Sequence, residues 1–148
     1  MGNERTPVLD VLGPSFPAFD SRTVAGTATL GLPDRPESVR SARDFTRSTL
    51  RFWRLSEQFD SVSLVVSELV TNALRYGDPA IELELVRGSR RLVCAVRDAS
   101  ATAPCRTEAD PGAESGRGLH LVECFSDGWG WRHQTESGGK VVWAVFRI

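Results

Sequence analysis

The sequence predicts an α+β fold, a two-layer α/β sandwich in which a mostly antiparallel sheet is covered on one face by about three helices. Two observations support this fold class. Helical patterns come early in the chain and strand patterns dominate its later part, an order that favours an α+β sandwich over a doubly wound parallel sheet. The later strands are also joined by short turns that contain glycine, which is typical of antiparallel hairpins.

The earlier part of the fold is predicted to contain one strand and two helices. Residues 23–32 alternate small and β-branched residues, as a strand does. Apolar residues recur at helical spacing over 37–53. A second apolar stripe at helical spacing is expected to be capped by Asp60 or Ser61 and to end at Gly77.

The later part is predicted to consist mainly of strands. Ile81, Leu83 and Leu85 alternate with glutamates, so we expect this strand to have one buried face and one wet face. A long polar loop precedes the last helix, and loops of that length in compact domains are often functional. The expected elements are strands over 80–86 and 91–98, a loop over 99–116, a short helix over 117–125, and strands over 126–133 and 140–147.

Length, charge and cysteine usage limit the possible classes of protein. The 148 residues fit one domain, which we place at 23–148 after a flexible tail at 1–22 that lacks a sustained period. A net charge of -1 argues against direct nucleic-acid binding. No apolar run approaches the roughly 20 residues that cross a bilayer, and no secretion signal is evident. Three unclustered cysteines indicate reduced thiols, so we expect a cytoplasmic protein with no membrane partner.

Glu68 and Asn72 form the first candidate site. They are four residues apart in the second helix, so they lie on one face at the edge of its apolar stripe. An amide oxygen is a hard ligand that suits Mg²⁺, and a nearby carboxylate can accept a proton. The alternative is an ordinary polar pair on a solvated helix face.

Asp98 and Lys140 are further candidates for contact with a ligand. Asp98 ends an otherwise apolar strand, where its carboxylate can accept a hydrogen bond from an exocyclic amine such as that of adenine; the alternative is a residue that only forms a turn. Lys140 is the only lysine in the chain and follows two glycines. Its alternative is an exposed lysine beside a hairpin turn.

A glycine-containing segment opens the last predicted helix. Glycines let backbone N–H groups approach a phosphate, and a helix N-terminus favours an anion. The alternative is a hinge followed by a helix start. The candidate residues in this segment are Gly116, Arg117, Gly118 and Leu119.

These segments, taken in order, resemble the conserved boxes of the GHKL ATPases. Residues 68–73 (ELVTNA) resemble the N box, 96–98 (VRD) the start of the G1 box, and 116–119 (GRGL) the G2 box after the ATP lid. The similarity covers about 25–148. The subgroup that the chain most resembles is the anti-sigma-factor serine kinases. The segments that carry this resemblance are the N box ELVTNALRYG, the Asp-Ala-Ser at 98–100, the Trp-Gly at 129–130 and the ending GKVVW.

This resemblance implies a Bergerat-type fold that binds ATP with Mg²⁺. It implies that Asn72 holds Mg²⁺ against the triphosphate, that Glu68 is the catalytic base, and that Asp98 contacts the adenine amino group. It implies that Gly116 and Gly118 let the lid backbone wrap the phosphates. Homodimerisation is also expected from the resemblance.

Three functions remain open from the sequence. The first is a kinase that phosphorylates a serine or threonine of an anti-sigma antagonist, and Glu68 favours it because a pure binding module needs no base. The second is a nucleotide-switched module that sequesters a sigma factor or another regulator without turnover. The third is a domain that binds no nucleotide, because Ser100 and Thr102 stand where the G1 box normally has glycines.

Overall fold

The computed structural model describes residues 24–104, 114–134 and 138–148, with the backbone alone at 114–118. The tail predicted at 1–22 and half of the predicted loop, residues 105–113, lie outside the described residues. The strands are β1 (Gly26–Leu32), β2 (Ile81–Arg87), β3 (Arg91–Asp98), β4 (Gly128–His133) and β5 (Lys140–Arg147), and the helices are α1 (Glu37–Phe52), α2 (Phe59–Tyr76) and α3 (Glu114–Phe125).

The described strands form one antiparallel sheet in the order β1-β2-β3-β5-β4. Helix α2 packs between α1 and α3 and lies against β3 at the middle of the sheet. This arrangement confirms the predicted α+β sandwich. The core between the helices and the sheet includes Ala42, Leu50, Val62, Val65, Val66, Leu69, Val70, Leu83, Leu85, Leu92, Cys94, Val96, Val142 and Ala144.

Helix α2 is apolar over a wide arc because it has a neighbouring helix on each side and a sheet beneath it. Its start differs from the prediction. A 3₁₀ turn at Ser56–Gln58 leads directly into the helix, and Gln58 occupies the cap position without a side-chain cap bond. The predicted caps Asp60 and Ser61 therefore lie inside the first turn. Among the described helices, none is long and apolar enough to cross a membrane.

The sheet face opposite the helices corrects another expectation. The glutamates of β2 are predicted to lie on a wet face, but Glu84 is buried and forms an ion pair with Nη1 of Arg97 at 3.1 Å. Glu82 lies 3.5 Å from the same nitrogen. The prediction failed because Arg97 is Glu82's partner on the adjacent strand. Apolar residues fill the rest of this face at its centre: Val86, Val93, Ala95, Val141, Trp143 and Val145.

Cys94 lies at the centre of β3 and gives a direct chemical test of the packing. Burial raises the pKa of its thiol to about 12, although backbone hydrogen bonds from Ala144 and from its own amide oppose this. Since the thiolate is the reactive form, we expect iodoacetamide at pH 8 to modify exposed Cys124 and to leave Cys94 unmodified until the protein unfolds. Peptide mass spectrometry measures both sites, and equal modification of the two thiols in the folded protein would contradict this packing.

Candidate functional site

Helix α2 carries the predicted acid and amide on one side. Asn72 is buried, with 8% of its surface exposed, and Glu68 is half-buried one turn earlier. They flank Leu69 and Ala73, which belong to the core. Each side chain also has an interaction within the protein. The pair therefore lies at the rim of the core, as predicted, rather than on a fully solvated helix face.

Asp98 ends β3 on the helix-covered face of the sheet. It keeps the alternation of Cys94 and Val96, which both lie in the core. Its Oδ1 accepts a hydrogen bond from the backbone N–H of Ser100 at 2.8 Å and another from Nζ of Lys140 at 3.1 Å. The two side chains of this ion pair are each only 2% exposed. The carboxylate is thus a buried group with a defined orientation.

The C-terminal end of α2 meets Asp98 at Gly77. A Cβ on Gly77 would lie 2.6 Å from Cγ and 2.7 Å from Oδ2 of Asp98, and 2.7 Å from the carbonyl oxygen of Ala73. Its φ of -93° is available to any residue, so the position requires glycine for space. The absent Cβ lets the end of α2 pack directly against Oδ2, five residues after Asn72. The structure therefore brings the end of α2 and Asp98 together.

Two residues replace the expected glycines at the start of the predicted lid, and Ser100 has a structural role there. Its N–H donates to Asp98, and its hydroxyl accepts a hydrogen bond from the N–H of Thr102 at 3.1 Å. Such side-chain bonds to the backbone two residues away stabilise turns. The hydrogen bond from Thr102 to the Ser100 hydroxyl is one that a glycine at 100 would not provide.

The segment Gly138–Lys140 brings the start of β5 next to Asp98. Gly138 has a φ of +76°, which favours glycine, and a Cβ on Gly139 would overlap the carbonyl oxygen of Asp98. Lys140 pairs directly with Asp98 in the strand register. The alternative of an exposed lysine is wrong, because Lys140 is buried and its ammonium contacts Asp98.

The glycine-containing segment of 116–119 also differs from its predicted placement. Helix α3 begins at Glu114 rather than at 117, so the backbones of Gly116 and Arg117 lie within its first turn and that of Gly118 begins the second. Leu119 is buried. Because α3 packs along α2, its first turn belongs to the helical layer that carries Asn72. Contact of these residues with a nucleotide stays a prediction.

The residues on α2 and at the end of β3 fit magnesium that arrives with a nucleotide. Within the described residues, no group of three or more His, Cys, Asp or Glu side chains could hold a metal by itself. Mg²⁺ commonly takes one or two protein oxygens together with substrate phosphates and waters. A buried amide at Asn72 with a carboxylate one turn away matches that mode.

Sequence reasoning missed Gly77 and Gly139 as parts of the site. Gly77 was interpreted as a helix end and Gly139 as a turn residue. Each instead gives space for Asp98, one beside its carboxylate and the other beside its carbonyl oxygen. The sequence signal that could have identified them is their position. Gly77 directly follows α2, and Gly139 directly precedes Lys140, and both of these neighbours reach Asp98.

The α+β sandwich, in which the end of α2 packs against Asp98, is consistent with an ATPase-type domain. The family model described as "Histidine kinase-like ATPase domain" matches residues 32–146. The chain therefore belongs to the histidine kinase-like ATPase domain family, and this membership supports an ATP-binding regulatory function. A search of curated proteins found no match.

Proposed function

We propose that this protein is a cytoplasmic Mg-ATP-binding regulator that phosphorylates a serine or threonine of a partner of the anti-sigma-antagonist type. The observation that carries the proposal is the placement of Glu68 and Asn72 on one side of α2, whose end contacts the buried carboxylate of Asp98. Family membership supports the nucleotide. The resemblance of the motifs to anti-sigma-factor kinases supports the class of partner, and homodimerisation stays a prediction.

The chain's own residues suit phosphoryl transfer because that reaction depends mainly on positioning and electrostatic stabilisation. Asn72 would hold Mg²⁺, which when bound would neutralise charge on the phosphates. Asp98 would accept a hydrogen bond from the adenine amine. Glu68 would accept the proton of the attacking hydroxyl. The first turn of α3 would present backbone N–H groups to the phosphates.

The kinase role is tested with γ-labelled ATP, Mg²⁺ and a purified candidate antagonist. We expect Glu68→Gln to lower the rate of transfer about 100-fold, as loss of a general base does, with little change in the dissociation constant for Mg-ATP. Glu57→Gln is the matched control, because Glu57 is an exposed acid on the turn before the same helix. Equal transfer by the two variants would contradict a base at position 68.

The same assay separates the kinase from the switch. Mg-ATP binding without transfer, together with nucleotide-dependent binding of a purified sigma factor, would support the sequestering module instead. Absence of nucleotide binding by the unmodified chain would reject both functions.

A further inference from the structure

Lys140 is an unusual residue in this protein. It is the chain's only lysine among 18 basic residues, and it is among the largest fully buried side chains. Lysines are almost never fully buried unless they are paired, because removal of an ammonium from water is costly. The partner here is Oδ1 of Asp98 at 3.1 Å. A buried ion pair is costly to form, so its position at the residue predicted to contact adenine suggests that Lys140 has a function there.

The local backbone is built to bring Lys140 to Asp98. The positive φ of Gly138 turns the chain into β5, and Gly139 allows β5 to approach the carbonyl oxygen of Asp98 without a side chain between them. Lys140 then stands directly opposite Asp98 in the β3–β5 register. Residues 138–140 therefore all contribute to the contact between Lys140 and Asp98.

The two hydrogen bonds described for the Asp98 side chain go to the same oxygen. Oδ1 accepts both the N–H of Ser100 and the ammonium of Lys140. Oδ2 lies against Gly77 at the end of α2, where a Cβ would come within 2.7 Å of it. The terminal torsion of an aspartate is broad and roughly two-fold, so two donors on one oxygen define which oxygen faces the end of α2.

We propose that Lys140 is a positioning residue for base recognition, which holds Asp98 so that Oδ2 accepts a hydrogen bond from the 6-amino group of a purine. Lys140 acts through Asp98 and does not itself contact the nucleotide. The carboxylate can only accept, so this arrangement selects 6-aminopurines against 6-oxopurines, whose oxygen is also an acceptor. The inference rests on the proposed nucleotide binding.

The test compares two nucleotides that differ only at the amine. Isothermal titration calorimetry gives dissociation constants for Mg-ATP and for the Mg²⁺ complex of purine riboside triphosphate, which lacks the 6-amino group. For the unmodified chain we expect about 10-fold or greater preference for ATP, the effect of one charge-assisted hydrogen bond. In Lys140→Met we expect that preference to disappear, while affinity for purine riboside triphosphate stays within about two-fold, because the other contacts remain.

Controls separate positioning from general damage. Arg147→Met removes an exposed cation from the other end of β5, and we expect its preference for ATP to be unchanged. If Lys140→Met does not fold, the comparison uses Asp98→Asn with and without Lys140→Met, since the double variant removes both charges. We then expect Asp98→Asn to lose the preference, with no further loss on adding Lys140→Met.

The possible failures are distinguishable. Equal loss of affinity for both nucleotides in Lys140→Met, or an undiminished preference for ATP, would overturn the positioning role alone. In the paired comparison, a preference for ATP that survives in Asp98→Asn would also overturn it, because Lys140 acts through that carboxylate. Absence of binding of either nucleotide by the unmodified chain would overturn the proposed function together with this inference.

Discussion

Asn72→Ala is expected to raise the dissociation constant for Mg-ATP about 100-fold or more and to remove phosphoryl transfer with it. The amide lies buried at the rim of the core, five residues before Gly77, which packs against Asp98. Alanine keeps the helix but removes the oxygen that would hold Mg²⁺ against the phosphates. A 100-fold change corresponds to about 2.8 kcal/mol of binding free energy.

Thermal unfolding with and without Mg-ATP measures this effect. A ligand at 100 times its dissociation constant stabilises the native state by about 2.7 kcal/mol, and we expect Asn72→Ala to lose nearly all of that increase at the same ligand concentration. The melting temperature without nucleotide is measured separately, because Asn72 also has an interaction within the protein.

Ser67→Ala is the matched control for Asn72→Ala. Ser67 is half-buried on the same helix, and its hydroxyl donates to the carbonyl oxygen of Ser63 at 2.7 Å, a bond local to α2. We expect this variant to retain the stabilisation by Mg-ATP. If Asn72→Ala retained it as well, Asn72 would not be a ligand of the nucleotide complex.

Much of the fold follows from local periodicity. The apolar spacing of α1 and α2 and the alternation in β1 and β2 predicted each of these elements to within about three residues at either end. The helix period also placed Glu68 and Asn72 together, because a separation of four residues fixes their side chains to one face. These features need no knowledge of the rest of the chain.

Features that depend on distant neighbours were not predictable in this way. Glu84 alternates with apolar residues as an exposed residue would, yet Arg97 from the next strand pairs with it in a buried setting. Lys140 follows two glycines as an exposed turn residue does, but its partner Asp98 is 42 positions earlier. Burial of such charges is decided by strand order, which local patterns do not encode.

Gly139→Ala is expected to destabilise the protein by about 3 kcal/mol, the upper part of the range for overpacked sites. The new methyl would overlap the carbonyl oxygen of Asp98 and approach Cα of Ala99, and neither backbone atom can move without shifting β3 or β5. For a domain of this size we expect the melting temperature to fall by about 10 °C, measured by calorimetry or circular dichroism.

Two other glycines separate the causes of this loss. Gly31→Ala adds a methyl in open space on β1, so we expect a change within about 0.5 kcal/mol. Gly138→Ala also meets no atoms but must adopt a φ of +76°, and its expected cost is about 1 kcal/mol. A melting temperature for Gly139→Ala equal to that of Gly31→Ala would contradict the close approach of β5 to Asp98.

Because that approach also delivers Lys140 to the carboxylate, Gly139→Ala should weaken the preference for ATP over purine riboside triphosphate, whereas Gly31→Ala should leave it unchanged.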